Sequence, residues 1–214
     1  AAGHDVHPLT LTGFGDRAHL SSPAVTLGTH VDDIVAAIEV ADLRDVVLVA
    51  HSYAGVPATV AAARIPDRIA RLVLVAGVVP EPGRSIFESA EPGFEQGVRH
   101  FAEVEGDGWL VPMMSDDLLD AVFGEHGLSD DDKAWLRARA TGHPLGCYTE
   151  PVPADLSAAD ALPRTYVACA GDPGDPPIAP GTPGWYVVTI GTGHWPMATA
   201  PADLAAVIDK AARS

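Results

Sequence analysis

The stretch from Val46 to Gly55, VVLVAHSYAG, decides the fold class of this protein. It opens with the apolar run Val46 to Ala50, which is rich in β-branched valine and is typical of a strand covered on both faces in a parallel sheet. His51 and Ser52 follow at once, and the alanine-rich residues 56–64 predict a helix. A buried strand, a sharp turn and a helix of small residues therefore follow one another without a spacer.

This order places Ser52 where a nucleophile elbow holds its serine. The usual pattern is G-x-S-x-G, but here Ala50 and Ala54 occupy the glycine positions and Gly55 comes one residue late. Alanine is the next smallest residue, although its Cβ disfavours a positive φ. A serine after a strand is also a common helix N-cap, so the elbow hypothesis needs partner residues elsewhere in the chain.

The alternation of strand and helix recurs along the chain and predicts an α/β fold, with a mostly parallel sheet flanked by helices. The predicted strands are 4–8, 46–50, 69–76, 164–169 and 185–190, and the predicted helices are 29–43 with Thr29 as its N-cap, 56–64, 115–123, 129–140 and 201–212. Residues 80–160 interrupt the rhythm with prolines, glycines and acidic clusters. We therefore expect a core made of residues 1–79 and 161–214, with residues 80–160 inserted as a small helical cap.

The last two predicted strands end just before an acid and a histidine. A serine nucleophile needs both, and in this type of fold they follow in the order serine, acid, histidine. Asp172 and His194 satisfy that order, and the carboxyl ends of parallel strands meet at one edge of a sheet. Asp175 lies in the same loop and is the alternative acid, but Asp172 is favoured because it comes first after the strand.

These residues predict acyl transfer. Ser52 would attack an acyl carbon while His194 takes its proton, and Asp172 would orient the imidazole and stabilise its cation. The backbone N–H of Tyr53 would donate to the oxyanion. His51 and Trp195 flank the predicted nucleophile and base and are candidates for the substrate pocket, with plain packing as the alternative for each.

Composition excludes several other classes of function. The 214 residues carry a net charge of −16, which argues against binding to nucleic acid or to an anionic membrane. No apolar run approaches the ~18 residues of a membrane helix. Two cysteines are too few for a disulfide framework or a cysteine-rich zinc site. We expect a cytoplasmic protein that needs no metal or cofactor and acts on a small molecule, and its oligomeric state stays open.

Several segments resemble the α/β-hydrolase superfamily, in the small-esterase branch that includes plant methyl esterases, hydroxynitrile lyases and bacterial esterases. These segments are LTLTGFGDR at 9–17, VAHSYAG at 49–55, HPLGCYT at 143–149, YVACAGD at 166–172 and Gly193-His194. The resemblance implies an α/β-hydrolase fold, cofactor-free ester hydrolysis, Asp172 as the triad acid and a cap that covers the pocket. Related lyases have a lysine after the catalytic histidine. Trp195 stands there instead, which favours hydrolysis.

One part of the family pattern has no counterpart in this sequence. Family members begin with a strand and a His-Gly loop that supplies the second oxyanion N–H, and that strand lies between the counterparts of 4–8 and 46–50. We expect an upstream segment to fill this position; a strand from another chain, or segment 4–8 itself, are the alternatives.

The sequence as a whole predicts a serine hydrolase that cleaves carboxylic esters through an acyl-enzyme. Two alternatives stay open. One is a tailoring enzyme of secondary metabolism that uses the same triad for lactone or acyl chemistry. The other is a catalytically weak ligand-binding homologue. The absence of a counterpart to the oxyanion loop and the alanines in the elbow motivate this alternative.

Overall fold

The computed structural model describes residues 3–213, and within them four parallel strands form the central sheet. The strands are β1 (Val46–His51), β2 (Ile69–Val75), β5 (Arg164–Cys169) and β6 (Trp185–Ile190), in the order β1-β2-β5-β6. A separate antiparallel pair joins β3 (Leu110–Val111) to β4 (His143–Pro144). The predicted α/β class with a parallel sheet is confirmed, and the four strand predictions from 46–50 onward match the observed strands to within one residue.

The described residues form ten α-helices. They are α1 (Leu27–Val40), α2 (Gly55–Arg64), α3 (Ile86–Ser89), α4 (Phe94–Glu105), α5 (Asp116–Phe123), α6 (Asp130–Arg137), α7 (Gly146–Thr149), α8 (Ser157–Asp160), α9 (Pro196–Thr199) and α10 (Pro201–Ala212). Helices α1 and α2 lie on one face of the central sheet and α10 lies on the other. Side chains of β2 alternate between the two faces. Leu72 and Leu74 pack on the side of α1 and α2, whereas Val73 and Val75 pack on the side of α10. No helix within residues 3–213 is both long and apolar enough to cross a membrane.

The prediction that β1 is covered on both faces holds in part. Val46 and Leu48 pack against the core cluster on one face and Val47 packs against the cluster on the other. β1 nevertheless lies at an edge of the described sheet, and Val49 is 41% exposed. An apolar run predicts a strand, but it does not by itself distinguish an edge strand from a central one.

The prediction of a strand at 4–8 is also wrong. The segment has no regular secondary structure and pairs with no strand of the described sheet. His4 instead bonds Asp209 in α10 at 2.7 Å, and Val6 is 75% exposed. Val6 gains no burial, and Pro8 has no N–H to donate to a neighbouring strand. Pairing of this segment with the sheet would therefore add little stability.

The N-cap of helix α1 lies three residues before the predicted cap. Thr26 is the N-cap, and Thr29 lies inside the helix, where its Oγ1 accepts a hydrogen bond from the Thr26 N–H at 3.2 Å. Thr29 therefore completes a capping box instead of ending the helix. The box sets the direction of α1, which carries residues that hold the site.

Residues 80–160 contain more helix than the sequence predicted. Helices α5 and α6 lie close to the predicted bounds, but α4 was missed, because Gly97 in its second turn lowers the helix propensity. At the far end of this segment, Val152, Leu156 and Ala159 pack in the main core beside α2. The division into core and cap stays a prediction.

Candidate active site

The turn after β1 has the conformation of a nucleophile elbow. Ser52 adopts a φ of +52°, the left-handed region that a serine rarely occupies. Ala54 occupies the second glycine position of the G-x-S-x-G pattern and adopts a φ of −59°, so its backbone is not strained. Gly55 is needed for close approach, because a Cβ there would lie 2.5 Å from the Val78 carbonyl oxygen. The late glycine therefore lets α2 begin directly against the loop after β2.

The structure brings together the three residues predicted as nucleophile, base and acid. The Ser52 hydroxyl donates to Nε2 of His194 at 2.9 Å, and Nδ1–H of His194 donates to Oδ2 of Asp172 at 3.2 Å. A carboxylate oxygen only accepts, so Nδ1 of His194 is assigned the hydrogen and Nε2 is assigned as the acceptor of the Ser52 hydroxyl. His194 is buried, and Oδ1 of Asp172 is buried without a hydrogen-bond partner among residues 3–213. Asp175, the alternative acid, is exposed.

His51 holds the loop that carries His194. Its Nε2–H donates to the backbone carbonyl of His194 at 2.7 Å. Burial, together with the nearby His194, lowers the pKa of His51 to about 4, so its ring is neutral at pH 7. His51 therefore packs in the elbow as a neutral donor, and its ring also lines the cavity beside Ser52.

The end of α5 covers the histidine loop. The Phe123 ring lies 4.5 Å from the His194 ring, and Trp195 packs edge-on against Phe123 at 4.8 Å. A Cβ at Gly193 would lie 2.3 Å from Cα of His126, so the backbone there tolerates only glycine. Trp195, a predicted pocket residue, lies outside the lining of the cavity beside Ser52.

A cavity of about 380 Å³ opens beside Ser52. Its walls are residues 9–11 with Phe14, the elbow residues 51–54, and His143 from β4. Within the described part of the chain, none of the lining side chains is a carboxylate, a lysine or an arginine. An apolar cavity with a few polar groups is the usual form of a small-molecule site.

A buried network joins the two walls of this cavity. His30 in α1 is fully buried, its Nδ1 accepts from the Tyr53 hydroxyl at 2.8 Å, and its Nε2–H donates to the Thr12 carbonyl at 2.8 Å. The Thr12 N–H in turn donates to Asp33 at 2.6 Å, and Arg17 pairs with Asp33 at 2.9 Å. Burial lowers the pKa of His30, which keeps it neutral. The network fixes Tyr53, whose backbone N–H is the predicted oxyanion donor.

Sequence reasoning missed His30 and His143. His30 falls beside Val31 on the apolar face of α1, where a histidine is a signal of a buried polar contact. His143 lies far along the chain from Ser52, and only the tertiary structure brings it into the cavity wall.

Comparison with known proteins identifies the family. A family model described as "Alpha/beta hydrolase family" matches residues 1–207. The chain belongs to this family. A carbendazim hydrolyzing esterase of Nocardioides sp. (strain SG-4G) is 32% identical over 216 residues, which cover 95% of this chain and 86% of that protein.

Solved structures match the same fold. An extracellular alpha/beta-hydrolase from a Paenibacillus species superposes with a TM-score of 0.79 at 20% identity, covering 95% of this chain and 86% of the other. A pyrethroid hydrolase from Sphingobium faniae JZ-2 superposes with a TM-score of 0.64 at 20% identity, covering 96% and 84%. At these identities the likeness establishes the alpha/beta hydrolase fold.

Proposed function

We propose that this alpha/beta hydrolase cleaves carboxylic esters through an acyl-enzyme formed on Ser52. Membership of the family and the 32% identical esterase support an ester hydrolase. The single observation that carries the mechanism is the pair of hydrogen bonds from Ser52 to His194 and from His194 to Asp172, beside an uncharged cavity. Nucleophile, base and orienting acid need this arrangement for acyl transfer.

In the first half of the reaction, Oγ of Ser52 attacks the acyl carbon and its proton passes to Nε2 of His194. Asp172 stabilises the imidazolium through Nδ1–H, and the Tyr53 N–H donates to the oxyanion. His194 then protonates the leaving alcohol. In the second half, water gives a proton to His194 and attacks the acyl-enzyme. The carboxylic acid departs and Ser52 regains its proton.

The cap, residues 80–160, would set the substrate preference. Phe123 from this segment lies over His194, and His143 lines the cavity beside Ser52. Side chains from the cap thus flank both the proposed base and the proposed nucleophile.

A serine-directed fluorophosphonate probe tests the nucleophile, with peptide mapping of the labelled residue. We expect the label on Ser52, and we expect Ser52→Ala to abolish both labelling and hydrolysis of p-nitrophenyl acetate. Ser157→Ala is the matched control, because Ser157 is exposed in α8. A label on another serine would reject this mechanism. An unlabelled protein that still binds esters would favour the weak ligand-binding homologue.

A further inference from the structure

His143 is held in the cavity wall by its surroundings. Its backbone pairs with Val111 in the short antiparallel sheet. The Tyr53 ring lies 4.3 Å from the His143 ring, and Phe14 packs on it at 5.0 Å, both nearly edge-on. The ring therefore has a defined position beside the cavity that contains Ser52.

One nitrogen of this ring has no hydrogen-bond partner in the part of the chain that the structure describes. Nδ1 lies 3.0 Å from the Tyr148 hydroxyl, whereas Nε2 is buried and unpaired among the described residues. Unpaired buried polar atoms are uncommon in proteins, and each one calls for an explanation. Nothing in the triad mechanism uses this atom.

Hydrogen-bond accounting shows which nitrogen carries the proton. Burial lowers the pKa of His143 to about 3 and raises that of Tyr148, so both side chains are neutral at pH 7. If Nδ1 held the proton, both the Tyr148 O–H and the Nε2 lone pair would be unpaired among residues 3–213. If Tyr148 donates to Nδ1, only an Nε2–H is left over. The second arrangement leaves fewer polar groups without a hydrogen-bond partner. Nε2 therefore carries the proton and is a donor.

We propose that Nε2–H of His143 donates a hydrogen bond to an oxygen of the substrate other than the reacting carbonyl. The enzyme would then prefer neutral esters that carry an ether, carbonyl or alkoxy oxygen in the part that fills the cavity. The ester class rests on the proposed function. The preference for a neutral group follows from the uncharged lining and from the net charge of −16, which disfavours anions.

Two other polar groups of the wall already have partners. The Tyr53 hydroxyl is bound to His30, and Nε2 of His51 is bound to the His194 carbonyl. Nε2 of His143 is shut off from solvent in the structure. The proposed hydrogen bond therefore requires that the substrate, as it fills the cavity, displace the contacts that cover this atom. A site with a buried unpaired donor discriminates strongly against a substrate that lacks the acceptor.

Isosteric ester pairs test this preference. On the acyl side, p-nitrophenyl methoxyacetate is compared with p-nitrophenyl butanoate, in which a methylene replaces the ether oxygen. On the alcohol side, 2-methoxyethyl acetate is compared with butyl acetate. Each rate is divided by that of alkaline hydrolysis, which removes the difference in intrinsic reactivity, and the ratio of kcat/KM within each pair is compared among variants.

Three variants separate donation from packing. His143→Phe keeps a flat ring without a donor, and we expect it to lower the ratio about tenfold in one pair, mainly through KM. His143→Gln keeps an N–H and should recover part of the ratio. Tyr148→Phe frees Nδ1 to take the proton and should also lower the ratio. The ester pair whose ratio changes shows whether the accepting oxygen lies in the acyl part or in the alcohol part of the substrate. A ratio unchanged within twofold in both pairs for all folded variants would overturn the proposal.

Binding to Ser52→Ala protein separates this inference from the proposed function. Calorimetry gives the Kd of each ester for Ser52→Ala alone and for Ser52→Ala with His143→Phe. If the unmodified chain hydrolyses none of the esters, the proposed function fails. The Kd ratio still decides on His143: a tenfold loss supports the hydrogen bond, and an unchanged ratio rejects it.

Discussion

Ser52 combines the proposed chemistry with backbone strain. Its φ of +52° costs a serine about 1 kcal/mol or more, a cost that glycine does not have. We expect Ser52→Gly to be more stable than Ser52→Ala by about 1 kcal/mol in urea denaturation, while both lose activity. Equal stabilities would mean that the strain at the elbow is relieved elsewhere.

The choice of acid is testable with a matched pair of neighbours. Asp172 lies 3.2 Å from Nδ1 of His194, and Asp175 is exposed in the same loop. Asp172→Asn should lower kcat by about 10⁴, because an amide can hold the wrong tautomer of the histidine. Asp175→Asn should keep the unmodified rate within twofold. Steady-state kinetics on p-nitrophenyl acetate measures both. A large loss in Asp175→Asn with little in Asp172→Asn would reverse the assignment.

At the scale of the elements, two helical glycines have opposite expected effects. Gly55 begins α2 against Val78, where a Cβ would lie 2.5 Å from a backbone oxygen. Gly97 lies inside α4, where an added Cβ would meet no described atom within 4 Å. We expect Gly55→Ala to lower the free energy of unfolding by about 1–3 kcal/mol through overpacking. Gly97→Ala should raise it by up to about 1 kcal/mol through helix propensity.

Urea denaturation of the two alanine variants measures this contrast. Gly55→Ala should also lose activity, since the elbow and α2 share this turn. If Gly55→Ala were as stable as the unmodified chain, the close approach of α2 to the loop after β2 would be wrong.

At the scale of the whole molecule, buried neutral histidines make stability depend on pH. The pKa is about 4 for His51 and about 3 for His143 in the folded chain, against about 6.5 in the unfolded one. Below pH 6.5 the unfolded chain therefore binds protons that the folded chain does not. Stability is full above pH 6.5 and falls by about 1.4 kcal/mol per pH unit for each group as the pH is lowered toward the folded pKa.

Between pH 7 and pH 5 we expect His51 and His143 together to cost about 4 kcal/mol of stability, measured by urea denaturation, and His30, whose pKa burial also lowers, adds to this loss. The loss for His143→Phe should be smaller by about 2 kcal/mol. Equal stability at pH 5 and pH 7 would show that the two histidines are not buried as neutral groups.

The sequence by itself determined the class of fold and the order in which the residues of the candidate site follow one another along the chain. Apolar runs of β-branched residues predicted β1, β2, β5 and β6, because such runs need cover on a sheet. Ser52, Asp172 and His194 each follow a strand, and the ends of parallel strands meet at one edge of the sheet. Local patterns were sufficient for these features because each depends on neighbours in the chain.

Only the tertiary structure decided which groups meet across long distances in the chain. The edge position of β1 and the lack of a strand at 4–8 depend on which strands pair, which an apolar pattern does not specify. His30 and His143 reach the cavity from segments far from Ser52, and no spacing rule links them to it. The carboxylate that meets His194 was likewise decided by how the loop after β5 packs. Long-range packing and pairing are properties of the whole chain, so local patterns of residues do not contain them.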